Sequence, residues 1–299
     1  MNTLYGFVES YNEATHDTDS LTVVTAAKER MTLRVEKDTE IALRTLYSFD
    51  IEPLTYKDKD QWKVLSFTLF EDVSLDIPTR LTILKDFYPT TPEDPSALVS
   101  LIETTLEAIE NPVIKAITQA LYAEHKEAFY LYPAATKFHH AFIGGVAHHT
   151  ASMLKLAEGF LQVYPYLNRD LLVAGILLHD LFKTEELSDY KHPEYGPVGR
   201  LIGHITLGTQ AIYHTAKTLG VFDAEERILL EHMVLSHHYY GSFGSPKKPN
   251  LPEALALHYI DNIDSKFVVL GEALEGTEEG TFTAPLAILD RERFYKAKR

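Results

Sequence analysis

The stretch DLLVAGILLHD, residues 170–180, restricts the fold of this chain more than any other. Between Asp170 and His179 it offers nothing polar. A helix that is apolar all round has to be enclosed by other elements. The run then carries His179 and Asp180 with it, and Leu181 and Phe182 follow. A buried carboxylate is costly without a partner. Adjacent helical residues point about 100° apart, so this pair can flank one ion but is badly placed to bond within itself. A cation would neutralise the carboxylate and occupy the imidazole lone pair. The plain alternative is a helix end rising to the surface, since the polar TEELSDYKH comes next.

Other histidines argue for the cation. Of the 14 in the chain, twelve lie between His139 and His258. On a helical wheel of Ala141 to Leu161, Phe142, Val146, Met153, Leu156 and Phe160 share a narrow arc. His149 falls in the middle of that arc and His148 falls with Ser152, Lys155 and Gly159. So His149 is read as inward and His148 as outward. His204 stands in the apolar RLIGHITLG. His237 and His238 stand where an apolar helix meets the loop YYGSFGSPKKP, and periodicity does not choose between them. Asp261 and Asp264 are one turn apart in LHYIDNIDSK, where one could be a ligand and the other its orienter. Separate helical segments each deliver a His or Asp through apolar sequence, which chance accounts for poorly.

The rest of the chain supplies a second module. Residues 1–88 hold short stretches rich in β-branched and aromatic residues: LYGFVESY, SLTVVTA, RMTLRVE, TEIALRTLYSF and WKVLSFTLF. About five strands with no clear helix suggest a small OB-like barrel. Lys+Arg number 10 there against 16 Asp+Glu, a net of −6. Any grip on a single strand would rest on aromatics such as Tyr5, Phe7 or Trp62. The Pro-rich YPTTPEDPS opens a linker, placed at 89–100. An all-α domain follows over 101–275, with a break between two helices at Asn111-Pro112, and then a charged, weakly ordered tail over 276–299. The fold class is therefore α+β and multidomain. The net charge of −15 leaves no whole-chain basic footprint for nucleic acid, so an anionic substrate needs a local positive site. With no cysteine, disulfides and thiolate ligands are excluded. No apolar run is long enough for a membrane span and no secretory signal is legible, so the expected compartment is the cytoplasm.

The order His149, His179-Asp180, Asp261 resembles the HD superfamily of metal-dependent phosphohydrolases. The segments KFHHAFIGGVAHHTASMLKLA, AGILLHDLFK, GHI, LSHHYYGSFGSPKKP and LHYIDNIDSK narrow the likeness to the YhaM-type 3′–5′ exoribonucleases. It covers roughly residues 130–270 and is weak over 1–88. The resemblance implies a first metal on His149, His179, Asp180 and Asp261. It implies a second, bridged by Asp180 and held by His204 and His237, with His238 as a further ligand. Lys183 would contact the phosphate, and His139, His140, Ser245 and Lys247 would line the substrate channel. The expected cofactor is a pair of divalent ions, Mn²⁺ first, with Fe²⁺, Co²⁺ or Mg²⁺ also compatible. The expected reaction is hydrolysis of single-stranded RNA, or DNA, to nucleoside 5′-monophosphates, with Asp180 and Lys183 as catalytic groups. A homo-oligomer is compatible with it and a membrane partner is not expected. Two departures stand out: Phe182 where Gly is expected, and Tyr239 where a small residue is common. Beside this reading stand a phosphohydrolase of free or cyclic nucleotides and a non-catalytic nucleic-acid-binding protein.

Overall fold

Alternation of apolar and polar side chains drives the first part of the chain into strands. In this computed structural model, residues 2–13, 18–56, 59–137 and 140–298 are described. The strands are β1 (Asn2–Asn12), β2 (Thr18–Thr25), β3 (Arg30–Glu36), β4 (Leu46–Tyr56) and β5 (Lys59–Leu69). They close into a barrel in the order β1-β2-β3-β5-β4, with β1 antiparallel to both β2 and β4. The one parallel pairing is β3 with β5, through Leu33↔Trp62 and Arg34↔Lys63. Val8, Leu21, Val23, Leu33, Val35 and Phe49 fill the interior. A small N-terminal OB-like barrel is thus present.

Two features of the first unit differ from the sequence reading. The stretch TEIALRTLYSF is strand only from Leu46, because the preceding loop turns through a left-handed Arg44 (φ 56°). A helix the reading lacked, α1 (Ile77–Lys85), lies within the first unit. Its Thr and Ile content masked it, although Asp76 caps it by accepting from Thr79 N at 2.8 Å. Tyr5, Phe7 and Trp62 are all half-buried. Tyr5 meets Phe70 edge-on and Trp62 packs on the barrel core.

The chain divides into two compact units, Met1–Pro89 and Thr90–Arg299. In the second, α2 (Pro95–Glu107) begins inside the span assigned to a linker, since Asp94 accepts from Ala97 N and starts a helix there. Asn111 caps α3 (Pro112–Leu131) through Val113 N and Ile114 N, which explains the break read at Asn111-Pro112. Then follow α4 (Gly145–Val163), α5 (Arg169–Leu178), α6 (Lys183–Glu186), α7 (Pro197–Leu201), α8 (His204–Thr218), α9 (Glu225–Ser236) and α10 (Pro252–Glu275). Leu171 to Leu178 of α5 are all buried, enclosed by α2, α3, α4, α9 and α10. The apolar run therefore is the central helix. The tail is more ordered than its charge suggested. It pairs with itself at Phe282↔Tyr295 and Leu286↔Glu292, and Lys296 Nζ donates to Leu274 O at 2.7 Å. Among the described residues no helix is long and apolar enough to cross a membrane.

Candidate metal centre

Two glycines set the entry to α4. Gly144 is left-handed at φ 81° and caps α4, so the helix starts at Gly145 and not at Ala141, the start assumed on the wheel. A Cβ on Gly145 would lie 2.1 Å from His140 O and 2.7 Å from Ala134 N, so only glycine lets that loop cross here. The helical phase survives, and His149 is buried. His148 is not on an open polar face. It is half-buried, with Nδ1 3.1 Å from Thr91 Oγ1. His179 continues the helical path just past α5, His204 opens α8, and His237 and His238 follow α9.

These segments converge on Asp180, and its two oxygens face different company. Oδ2 lies 3.3 Å from His179 Nε2, 3.9 Å from His149 Nε2 and 2.7 Å from Lys183 Nζ. Oδ1 lies 3.4 Å from His204 Nε2 and 3.9 Å from His237 Nε2. Asp261 Oδ1 is 3.3 Å from His149 Nε2. Candidate ligand atoms of Asp180, His204, His237 and His238 lie within 4.8 Å of one another, as do those of His149, His179 and Asp180.

The outer ring nitrogens decide what these histidines can do. His179 Nδ1 donates to Ile176 O (2.8 Å), His237 Nδ1 to Val234 O (2.7 Å) and His238 Nδ1 to Phe243 O (2.6 Å). His149 Nδ1 donates to Asp264 Oδ2 (2.7 Å) and His204 Nδ1 to Glu186 Oε1 (3.1 Å). A carbonyl or carboxylate can only accept, so each Nδ1 carries the proton and Nε2 is left as the ligand nitrogen. Carboxylate or carbonyl support behind a histidine is the usual outer layer of a metal site. Asp180 Oδ1, His204 Nε2 and His237 Nε2 are buried without a hydrogen-bond partner. Buried polar atoms are normally satisfied, and three orphans aimed at one another fit a cation.

Charge agrees with geometry. Burial opposes ionisation of Asp180, but the Lys183 charge and the His179 ring beside it hold its carboxyl well below the usual range. Burial likewise opposes charge on Lys183, and Asp180 outweighs it, so the amine stays protonated above its ordinary value. Burial penalises the His149 imidazolium, yet hydrogen bonds to Asp261 and Asp264 raise it to about 9. Burial, then the neighbouring His238 and His179, push His237 well below the ordinary value. Divalent-metal binding suits this set of oxygen and nitrogen donors.

Not every expected residue lines the centre. His140 is buried behind His149, its Nε2 donating to Asp264 Oδ2 at 2.8 Å. It therefore orients rather than lining a channel. Ser245 is buried too, accepting from His238 N at 3.1 Å, whereas Lys247 is exposed. His139 lies outside the described residues. Lys183 sits against Asp180, within the centre. Phe182 is accommodated with ordinary backbone (φ −83°), its ring filling the space above Gly208. Tyr239 does take a left-handed conformation (φ 67°), which explains why a small residue suits that place. Sequence reasoning missed Glu186. Its only signal was a carboxylate one turn past Lys183, and the loop back to His204 gives it its role. An apolar cavity of about 600 Å³ lined by Phe160, Tyr164, Tyr166 and Tyr259 contains none of these side chains.

The HD domain family matches residues 146–266 of the chain. A protein of Geobacillus sp. (strain WCH70) named 3′–5′ exoribonuclease YhaM is 42% identical over 241 residues, 81% of this chain and 72% of that one. Its namesake in Bacillus pumilus (strain SAFR-032) is 43% identical over 213 residues, 71% of this chain and 68% of that protein. The namesake in Bacillus subtilis (strain 168) is 41% identical over the same length, again 71% and 68%.

Proposed function

This chain belongs to the family of YhaM 3′–5′ exoribonucleases, and from that premise we propose that it trims single-stranded RNA from the 3′ end at a two-ion centre shared through Asp180. The observation that carries the reading is the divided carboxylate, Oδ2 towards His149 and His179 and Oδ1 towards His204 and His237. In our assignment His149, His179, Asp180 and Asp261 hold one divalent ion. Asp180, His204 and His237 hold the other, with His238. Oxygen and nitrogen donors without sulfur suit Mn²⁺ first, with Fe²⁺, Co²⁺ or Mg²⁺ as further fits. Bound there, the ions would lower the pKa of water towards about 7 and neutralise charge on the scissile phosphate.

The protein's own groups supply the rest. Lys183, held protonated beside Asp180, offers a fixed positive charge to the phosphate as negative charge develops on it. Asp264 and Glu186 keep the His149 and His204 rings turned so that Nε2 faces inward. Water attacks phosphorus in line with the P–O3′ bond. That bond breaks, and the phosphate leaves on the 5′ oxygen of the released nucleotide. The acidic barrel would grip RNA by base contacts more than by charge.

Asp180→Ala is the direct test, on folded protein supplied with Mn²⁺ and 5′-labelled single-stranded RNA. The parent should give a ladder shortening from the 3′ end and mononucleotide product, and the variant should lose it by orders of magnitude. A variant that degrades the RNA at the parent rate would sink the assignment. A nucleotide panel in the same buffer tells an exonuclease from a hydrolase of small substrates.

A further inference from the structure

Between the metal centre and α10 runs the segment YYGSFGSPKKPN, Tyr239 to Asn250. It holds Lys247 and Lys248 and no carboxylate, in a chain whose net charge is −15. Two of its aromatics stand in solvent: Tyr240 is 51% exposed and Phe243 66%, their rings edge to face at 6.0 Å. Exposed single apolar residues are common, but a pair of large aromatics beside a reactive centre marks a contact surface.

The pair is tied to the centre. Phe243 O accepts from His238 Nδ1 at 2.6 Å, Tyr240 N donates to His238 O at 2.7 Å, and Phe243 N donates to Tyr240 O at 2.9 Å. One imidazole ring thus separates the Phe243 carbonyl from the ligand set. The backbone is strained where this segment begins, at the left-handed Tyr239, with Lys248 Nζ 5.0 Å from the Tyr239 ring centre. Strain of this kind persists where surroundings hold it, often beside functional sites.

A single-stranded polynucleotide offers what this surface lacks: flat apolar faces spaced along an anionic backbone. Aromatic platforms flanked by cations are how such strands are held without reading sequence. We propose that Tyr240 and Phe243 form the stacking site for the base of the 3′-terminal nucleotide, with Lys247 and Lys248 facing its phosphates. This rests on the exoribonuclease reading and adds the groups that seat the strand end beside the ions.

The test compares two fluorescein-labelled oligoadenylates with a non-hydrolysable terminal linkage, one intact and one abasic at its 3′ end. Fluorescence anisotropy with metal-loaded protein gives the ratio of their affinities. The parent should bind the intact end about tenfold tighter or more, the worth of one stacked base. The Tyr240→Ala/Phe243→Ala double variant should bring the ratio close to one, and Phe243→Tyr should keep it. Because each variant is its own control across the two oligonucleotides, a general folding defect does not mimic the result. A parent that binds both ends alike, or a double variant that keeps the parent ratio, overturns the proposal. The ladder assay on the same parent protein judges the exoribonuclease reading separately: stacking without cutting would sink that reading and leave the stacking site standing.

Discussion

Glu186 offers the most discriminating perturbation, because its carboxylate touches only one side of the centre. Its Oε1 accepts from both the Nδ1 and the backbone N of His204, each at 3.1 Å. Burial opposes its charge, and the hydrogen bonds from His204 win, leaving the carboxyl below its ordinary range. In Glu186→Gln the amide oxygen can still accept from His204 Nδ1, so the tautomer survives and only the charge is lost. In Glu186→Ala the ring is free to turn and two buried donors are stranded. Removing such an outer partner weakens metal binding by roughly tenfold to a hundredfold. We expect Gln near the lower figure, about 1.4 kcal/mol, and Ala near the upper, about 2.7 kcal/mol. Isothermal titration of metal-stripped protein with Mn²⁺ should resolve two binding steps. Only the step that involves His204 should move, while the step that involves His149 and His179 stays within experimental error. Equal weakening of both steps would mean that Glu186 merely supports the fold. No weakening of either would refute the reasoning that its carboxylate sets the His204 ligand.

Four further outcomes follow. In Lys183→Met the cation competing for Asp180 Oδ2 is gone, so Mn²⁺ should bind at least as tightly as to the parent while kcat falls by about a hundredfold or more; weaker metal binding would contradict it. Without metal, His149 keeps its proton up to about pH 9, so loading the ion must expel it. Between about pH 7 and 9 the apparent affinity should therefore rise with pH, with protons released into weakly buffered solution as Mn²⁺ is added. The metal-free fold runs the opposite way: a raised folded-state pKa contributes stability that is complete below about pH 6.5 and fades as pH climbs through 9. Gly145→Ala forces a Cβ onto the His140 carbonyl and Ala134 N, and should lower the melting temperature by several degrees along with activity.

The composition of the centre was open to reading in one dimension. His179-Asp180 closed an apolar run that could also have surfaced at TEELSDYKH, and the packing around α5 buries the pair. His149 lay on an apolar arc, so its burial followed from helical periodicity. Asn111-Pro112 and the strand alternation worked for the same reason, being local patterns whose physics spans a few residues. The failures had a common cause as well. The α1 helix carried a correct cap at Asp76, yet residues 1–88 were read as showing no clear helix. His140 and Ser245, which the resemblance placed along a substrate channel, are loop residues that the crossing of the chain over Gly145 and its fold past His238 bury.

The sequence by itself determined which side chains must leave water and in what order they come along the chain. Only the tertiary structure decided the company they keep. Asp264 stands behind His149, Glu186 behind His204, and Asp180 turns one oxygen to each set. Periodicity is a property of one helix, fixed by backbone geometry. For His149 and His204 the direction of the imidazole is decided by the carboxylate that another segment brings to its Nδ1, and that segment can be over a hundred residues away, as Asp264 is from His149.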